Sequence, residues 1–322
     1  MPGTPLEIVV VTKDVPTLVG GILRECPELI IHSGEDAAGL LGKASNARVL
    51  IGLAQTITPD LISAAPKIEW IQALTTGIDP LLKLKLPGNV VVTSARGVHG
   101  PQMSELAFMQ MLALARGLPR MLKNQQNRQW ERWPQKLLYG KTVVIVGVGA
   151  ISEALAVRCQ AFGMRVVGIS DARLHGQGFD EIKPRAALIE AAGITDFLIV
   201  LAAATRETRQ MINGAVLDAL RKDAFFINVS RGSLVDEQAL VKRLEARSIA
   251  GAALDVFETE PLPAESPLWQ LDNVLITPHI GGMSDSYGDQ LLPLVAHNLK
   301  LFAAGRIDEM RNRMNLSEMG SR

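Results

Sequence analysis

Gly140-Lys141-Thr142-Val143-Val144-Ile145-Val146-Gly147-Val148-Gly149-Ala150-Ile151-Ser152 is the stretch that decides the fold. An apolar, β-branched run leads straight into two glycines spaced by one residue. Such a run, with no polar alternation, suits a strand covered on both faces, as in a parallel sheet. A helical pattern over residues 153–162 follows, and a second strand closes near Ser170-Asp171. Strand, Gly-x-Gly, helix and strand form the context of a dinucleotide-binding turn. Gly147 permits the tight bend, and Gly149 lets the backbone approach a pyrophosphate at the positive end of the helix. Ser152 stands where a third glycine is usual. That position serves close packing of helix on strand, which a small serine tolerates.

The second strand ends in Ile169-Ser170-Asp171-Ala172-Arg173. An acid at this point binds the ribose 2′-hydroxyl of NAD, whereas a nearby arginine accommodates the 2′-phosphate of NADP. If Asp171 reaches the ribose, NAD is the cofactor; if Ser170 takes that place and Arg173 swings in, it is NADP. The presence of the acid tips the reading slightly towards NAD.

Outward from this unit the same alternation covers the chain. Strand-like runs occupy residues 8–11, 49–53, 68–74 and 90–93 in the first half, with helical patterns such as 15–24 and 59–65 between them. A longer helix is expected from Pro101 to about Gly117, with apolar residues that include Leu106, Met109, Leu112 and Leu114, Pro101 suiting its first turn. The polar stretch 125–133, with Trp130 and Trp133, reads as a surface connection. A second series of strands follows at 142–146, 165–169, 197–201, 225–229, 249–254 and 274–277, and a last helix at about 284–304. No repeat of fixed period interrupts the pattern. The expectation is an α/β protein of two Rossmann-like, doubly wound parallel-sheet units.

Composition excludes several classes. A chain of 322 residues fits two domains of ordinary size, and 48% hydrophobic with 20% charged residues is a normal globular balance. Lys+Arg and Asp+Glu are both 33, so no net positive field points to nucleic acid or an anionic membrane. The two cysteines, Cys26 and Cys159, make neither a disulfide framework nor a zinc motif. No basic segment precedes the apolar run at residues 8–11, which reads as a strand and not as a signal peptide. No stretch approaches the roughly 18 unbroken apolar residues of a membrane span, and the expected location is the cytoplasm.

Three later segments place polar groups at strand ends, where doubly wound folds bind ligands. They are Asn228-Val229-Ser230-Arg231-Gly232, Ala253-Leu254-Asp255-Val256-Phe257-Glu258-Thr259-Glu260-Pro261-Leu262 and Thr277-Pro278-His279-Ile280-Gly281-Gly282. With the glycine turn, they closely resemble the D-isomer-specific 2-hydroxyacid dehydrogenases. In that family an Arg-Gly follows one strand, an Asp and a Glu-Pro the next, and a Pro-His the last. The resemblance extends to Leu74-Thr75-Thr76-Gly77-Ile78-Asp79 and Gly97-Val98-His99-Gly100-Pro101.

The resemblance implies hydride transfer between NAD or NADP and a small 2-oxo or 2-hydroxy acid. His279 would be the general acid/base, Glu260 its carboxylate partner, and Arg231 the group that binds the substrate carboxylate and polarises the carbonyl. These residue types suit the roles. Histidine titrates near neutrality, a carboxylate fixes its tautomer, and guanidinium offers a planar fork. The cofactor face would comprise Gly147, Gly149, Ala150, Ile151, Ser170, Asp171, Arg173, Ala202, Thr208, Ser230, Asp255 and Gly281, with Asp255 against the nicotinamide end. Thr76, Gly77 and Ile78 would hold the substrate carboxylate. The family also implies an inserted cofactor domain, here 100–284, between substrate-domain segments 1–99 and 285–322. It further implies a cleft that closes to exclude water and a homodimer formed through the cofactor domain.

Blander readings stand beside these. His32, His175 and His297 read as surface or packed histidines, His99 as part of a hinge, and Glu258 as solvated. Relatives usually carry a proline where Ala204 precedes Thr205. The same fold also serves in nicotinamide-sensing corepressors, a reading with which Arg231, Glu260 and His279 are compatible. A Rossmann methyltransferase would leave the arrival of those three residues together unexplained. Glyoxylate, hydroxypyruvate, 3-phosphoglycerate and branched 2-oxo acids all remain open as substrates.

Overall fold

The computed structural model describes residues 5–315. They fall into two compact units, one made of the described residues up to His99 and from Ser284 onward, the other of Gly100–Met283. No helix among the described residues is long and apolar enough to cross a membrane.

In the first unit, β1 (Glu7–Val11), β2 (Ile30–Gly34), β3 (Val49–Gly52), β4 (Trp70–Ala73) and β5 (Val91–Thr93) make a parallel sheet in the order β2-β1-β3-β4-β5. Alternate residues of each strand serve opposite faces. Ile8, Val10, Val49, Ile51 and Trp70 enter one buried cluster, whereas Val9, Val11, Leu50 and Ile71 enter another. The first cluster is completed by the helix Tyr287–Ala303, which contributes Leu291, Leu294, Val295, Leu299 and Phe302. Their three- and four-residue spacing makes one apolar stripe. A buried polar chain adds direction to this contact. Trp70 Nε1 donates to Thr93 Oγ1 (2.8 Å), Thr93 Oγ1 donates to Gln72 Oε1 (2.8 Å), and Asn298 Nδ2 donates to the same Gln72 oxygen (3.1 Å).

The second unit holds β6 (Thr142–Val146), β7 (Arg165–Ile169), β8 (Glu181–Lys183), β9 (Phe197–Val200), β10 (Phe225–Asn228), β11 (Gly251–Leu254) and β12 (Val274–Ile276). Their order is β12-β11-β10-β9-β6-β7-β8, all parallel. The order reverses between β6 and β9, so the crevice where doubly wound folds take ligands opens beside the glycine turn. Both sheets are thus the parallel, doubly wound type expected.

Several local features differ from the sequence reading. Strands β2 and β8 were not expected. Both lie at sheet edges, and β8 is half-exposed throughout, so neither carries the continuous apolar run of a central strand. The stretch expected as a surface connection from Gln125 begins inside a helix, Leu118–Gln126, and becomes irregular only beyond it. Pro119 in its first turn and the left-handed Gly117 before it were the available signals. The last helix starts at Tyr287, three residues later than the pattern suggested.

Candidate active site

The glycine turn is built by exclusion. Gly147 has φ +97°, and a Cβ there would lie 2.5 Å from Ala202 Cα and 2.6 Å from its nitrogen. Only glycine lets the ends of β6 and β9 approach so closely. Gly149 is extended, at φ −152°, and a Cβ added to it meets nothing within 4 Å. Ala150 and Ile151 then open a helix of 12 residues, Ala150–Ala161. A helix N-terminus facing an open glycine fits the pyrophosphate of a dinucleotide.

Ser152, in place of the third glycine, is 2% exposed, and its hydroxyl donates to the Gly147 carbonyl at 2.6 Å. The substitution therefore adds a fastening between helix and turn without adding bulk to the crevice. Across the switch point, Ser230 Oγ donates to Ala202 O at 2.5 Å. Thr208 Oγ1 donates to Ala203 O and accepts from the Thr205 N–H, both at 2.8 Å. The hydroxyls of Ser230 and Thr208 thus hold the backbone after β9.

Ser170 is the first residue beyond β7, and its hydroxyl accepts from the N–H groups of Ala172 (3.1 Å) and Arg173 (3.0 Å). Arg173 reaches Glu153 on the glycine-turn helix at 2.9 Å. Asp171 is engaged by Arg185, accepting from its backbone N–H at 2.8 Å and meeting its guanidinium at 3.2 Å. Sequence reasoning missed Arg185, because a pairing across a loop leaves no local pattern.

The structure brings Arg231, Asp255, Glu260 and His279 together at the ends of β10, β11 and β12. Gly232 is the pivot: a Cβ there would lie 1.9 Å from the Phe257 carbonyl carbon, so the loop after β10 rests directly on the loop after β11. Asp255 is 1% exposed and accepts from Thr277 Oγ1 (2.6 Å), Ile280 N (3.1 Å) and Gly281 N (3.0 Å). Those donors flank His279, whose backbone is left-handed at φ +52°. For a non-glycine residue that conformation needs a surrounding structure to impose it. Asp255 thus spends most of its acceptor capacity on the histidine loop, beyond the nicotinamide contact expected of it.

His279 Nδ1 lies 2.6 Å from Glu260 Oε2, and the other Glu260 oxygen accepts from the Phe257 N–H at 3.0 Å. A carboxylate can only accept, so Nδ1 carries the proton and the exchangeable site is Nε2. Burial is the largest influence on Glu260 and pushes its pKa up. The bonds from His279 and Phe257, with the charges of His279 and Arg231, outweigh it and hold the carboxyl below its ordinary value. Arg231 Nη1 donates to the Ser230 carbonyl at 2.7 Å, and Asn228 Nδ2 donates to the Arg231 carbonyl at 3.0 Å. Glu258 is exposed, as expected, and lies 3.7 Å from Arg209.

Thr76, Gly77 and Ile78 belong to the first unit. Among the described residues no acceptor meets their N–H groups. Thr75 stiffens the loop: its hydroxyl donates to Gly77 O at 2.7 Å and its carbonyl accepts from Ala95 N at 2.9 Å.

A family model described as D-isomer specific 2-hydroxyacid dehydrogenase, NAD binding domain, matches residues 108–281. Glyoxylate reductase of Pyrococcus horikoshii is 33% identical over 316 residues, covering 93% of this chain and 93% of that protein. Among solved structures, a D-isomer specific 2-hydroxyacid dehydrogenase family protein from Aeromonas salmonicida aligns with a TM-score of 0.90 at 29% identity, over 97% of this chain and 100% of its own. The NADPH-dependent glyoxylate/hydroxypyruvate reductase of Sinorhizobium meliloti, in complex with NADP and sulfate, aligns at 0.83 and 27%, over 98% and 99%.

Glu260 gives the pair a pH signature. A carboxyl held low in the folded state stabilises above its unfolded value of about 4.3, and that stabilisation is lost as pH falls through the lower folded value. Urea unfolding of the parent and of Glu260→Gln should therefore show a parental advantage near neutrality that shrinks below about pH 4. An advantage that grows on acidification would contradict the pairing.

Proposed function

The chain belongs to the D-isomer-specific 2-hydroxyacid dehydrogenase family of NAD(P)-dependent oxidoreductases, and we propose that it reduces a small 2-oxo acid using the set Arg231, Glu260 and His279. The observation that carries this reading is the 2.6 Å Nδ1–carboxylate contact, which leaves His279 Nε2 as the one exchangeable position of the ring. A nicotinamide dinucleotide held by the turn at Gly147 and Gly149 and by the N-terminus of the helix Ala150–Ala161 would supply the hydride to C2. His279, protonated at Nε2, gives its proton to the carbonyl oxygen as negative charge develops there. It is left neutral, with Nδ1–H still on Glu260. Arg231 binds the acid's carboxylate and draws electron density from the adjacent carbonyl, a task suited to a planar, permanently charged fork.

The preferred coenzyme is NADP(H). Ser170 holds the position directly after β7, Asp171 is occupied by Arg185, and Arg173 has turned towards the glycine-turn helix. The Sinorhizobium meliloti relative is itself NADPH-dependent.

The active form is a homodimer through the second unit. Phe108, Met109, Leu112, Ala113, Leu118 and Met121 line an apolar groove rimmed by Glu105, Arg116 and Arg158. A second copy is the occupant this rim favours, because it carries both charge signs and can meet itself across a two-fold axis.

Replacing His279 by alanine should lower turnover by about 10²–10⁴-fold while dinucleotide binding, read by fluorescence titration, stays near the parental value. Near-parental turnover would remove His279 from the mechanism. In Arg173→Ala, NADPH should weaken more than NADH; equal losses would show that this arginine does not read the 2′-phosphate. Met109→Glu should shift the sedimentation of the protein from dimer to monomer, and an unshifted dimer would place the interface elsewhere.

A further inference from the structure

We infer that Gln110 is a positioning residue for the proton transfer: from the helix Gly100–Arg116 it fixes the loop that presents His279 to Glu260. The inference rests on the reading of His279 as the proton donor.

Gln110 is fully buried, so it acts only through the groups it holds. Its Nε2 donates to Thr277 Oγ1 at 3.2 Å, and that hydroxyl donates to Asp255 Oδ1 at 2.6 Å. A carboxylate only accepts, and the single hydroxyl proton of Thr277 goes to it. The Thr277 oxygen therefore meets Gln110 as an acceptor, which an amide nitrogen satisfies and an amide oxygen would oppose. Gln110 thus keeps Thr277 turned towards Asp255, the carboxylate that also takes the N–H groups of Ile280 and Gly281. His279 lies between these contacts in the chain.

The helix presents a whole face to this loop. Gln102, Met103, Leu106 and Gln110 recur at helical spacing. Gln102 Nε2 lies 3.5 Å from the Gly282 carbonyl. A Cβ at Gly281 would lie 2.9 Å from Met103 Sδ and 2.8 Å from Leu106 Cδ2, so glycine there lets the loop rest directly on the helix. The loop is held at Thr277 on one side of His279 and at Gly281 and Gly282 on the other. Packing alone does not call for glutamine at position 110. Its Oε1 is buried without a partner among the described residues, and a buried acceptor left so lowers stability. What glutamine adds over an apolar side chain of the same length is the bond to Thr277.

Gln110→Met keeps that length and removes the donor. Urea unfolding should place its midpoint at or above the parental one, while kcat with a 2-oxo acid falls about tenfold or more and KM and dinucleotide binding stay unchanged. A fall of kcat and stability together would mark a merely structural role, and an unchanged kcat would remove Gln110 from the mechanism; either overturns the proposal. In a Thr277→Val background the same substitution should cost nothing further, because Gln110 acts through Thr277, and additive losses would contradict that route. A readout that needs no turnover separates this inference from the functional reading. NMR nitrogen shifts of the His279 imidazole, assigned by their absence in His279→Ala, report which ring nitrogen carries the proton. The parent should hold it on Nδ1, and Gln110→Met should show a mixture of the two tautomers. That result with a parent that reduces no 2-oxo acid would keep Gln110 as the residue that positions His279 and overturn the reductase reading alone. Parental shifts in Gln110→Met would overturn the positioning and leave the reductase reading standing.

Discussion

The buried carboxylate of Asp255 is the constraint on which the His279–Glu260 pair depends. It accepts from Thr277 Oγ1, Ile280 N and Gly281 N, gathering the loop after β12 around a single acceptor. Without it, the buried Gly281 N–H would lose its partner, at about 1–3 kcal/mol. The left-handed backbone of His279 would lose the contacts that impose it. Glu260 can orient the imidazole only because the loop already delivers the ring to it. The order of cause therefore runs from Asp255, to the backbone of residues 277–281, to the His279–Glu260 pair.

The parallel sheet explains why these groups meet. Every strand of the second unit points the same way, so the loops after β6, β9, β10, β11 and β12 emerge at one edge. Two glycines set the spacing there. Gly147 brings the β6 turn against Ala202, and Gly232 brings the β10 loop against Phe257. The first contact shapes the dinucleotide cradle, and the second sets the Arg231 loop against the loop that carries Glu260. The Arg-Gly pair is thus a chemical group and the close approach that locates it.

Much of this was legible in the sequence, for identifiable reasons. Strands β6 and β7 were expected with the bounds observed, because central strands in a parallel sheet are apolar on both faces and these two stop at Gly147 and Ser170. Arg231, Glu260 and His279 could be singled out because each lies beyond a strand end in a segment that resembles the family's Arg-Gly, Glu-Pro and Pro-His elements. The rest was hidden because it is tertiary. Asp171 and Arg185 are 14 residues apart, and His99 and Tyr287 are 188 apart. No periodicity records such hydrogen bonds. Ser152 lies between these cases: its size was readable as tolerable, but its bond to Gly147 was not.

Consumption of NADPH with pyruvate and hydroxypyruvate, combined with chiral chromatography of the products, tests the assignment most directly. A reductase of the D-isomer-specific family should oxidise one NADPH for each acid reduced and yield the D-2-hydroxy acid alone. An L or racemic product would contradict that assignment. Tight dinucleotide binding with no consumption would contradict the enzyme itself and favour a nicotinamide-sensing protein on the same fold.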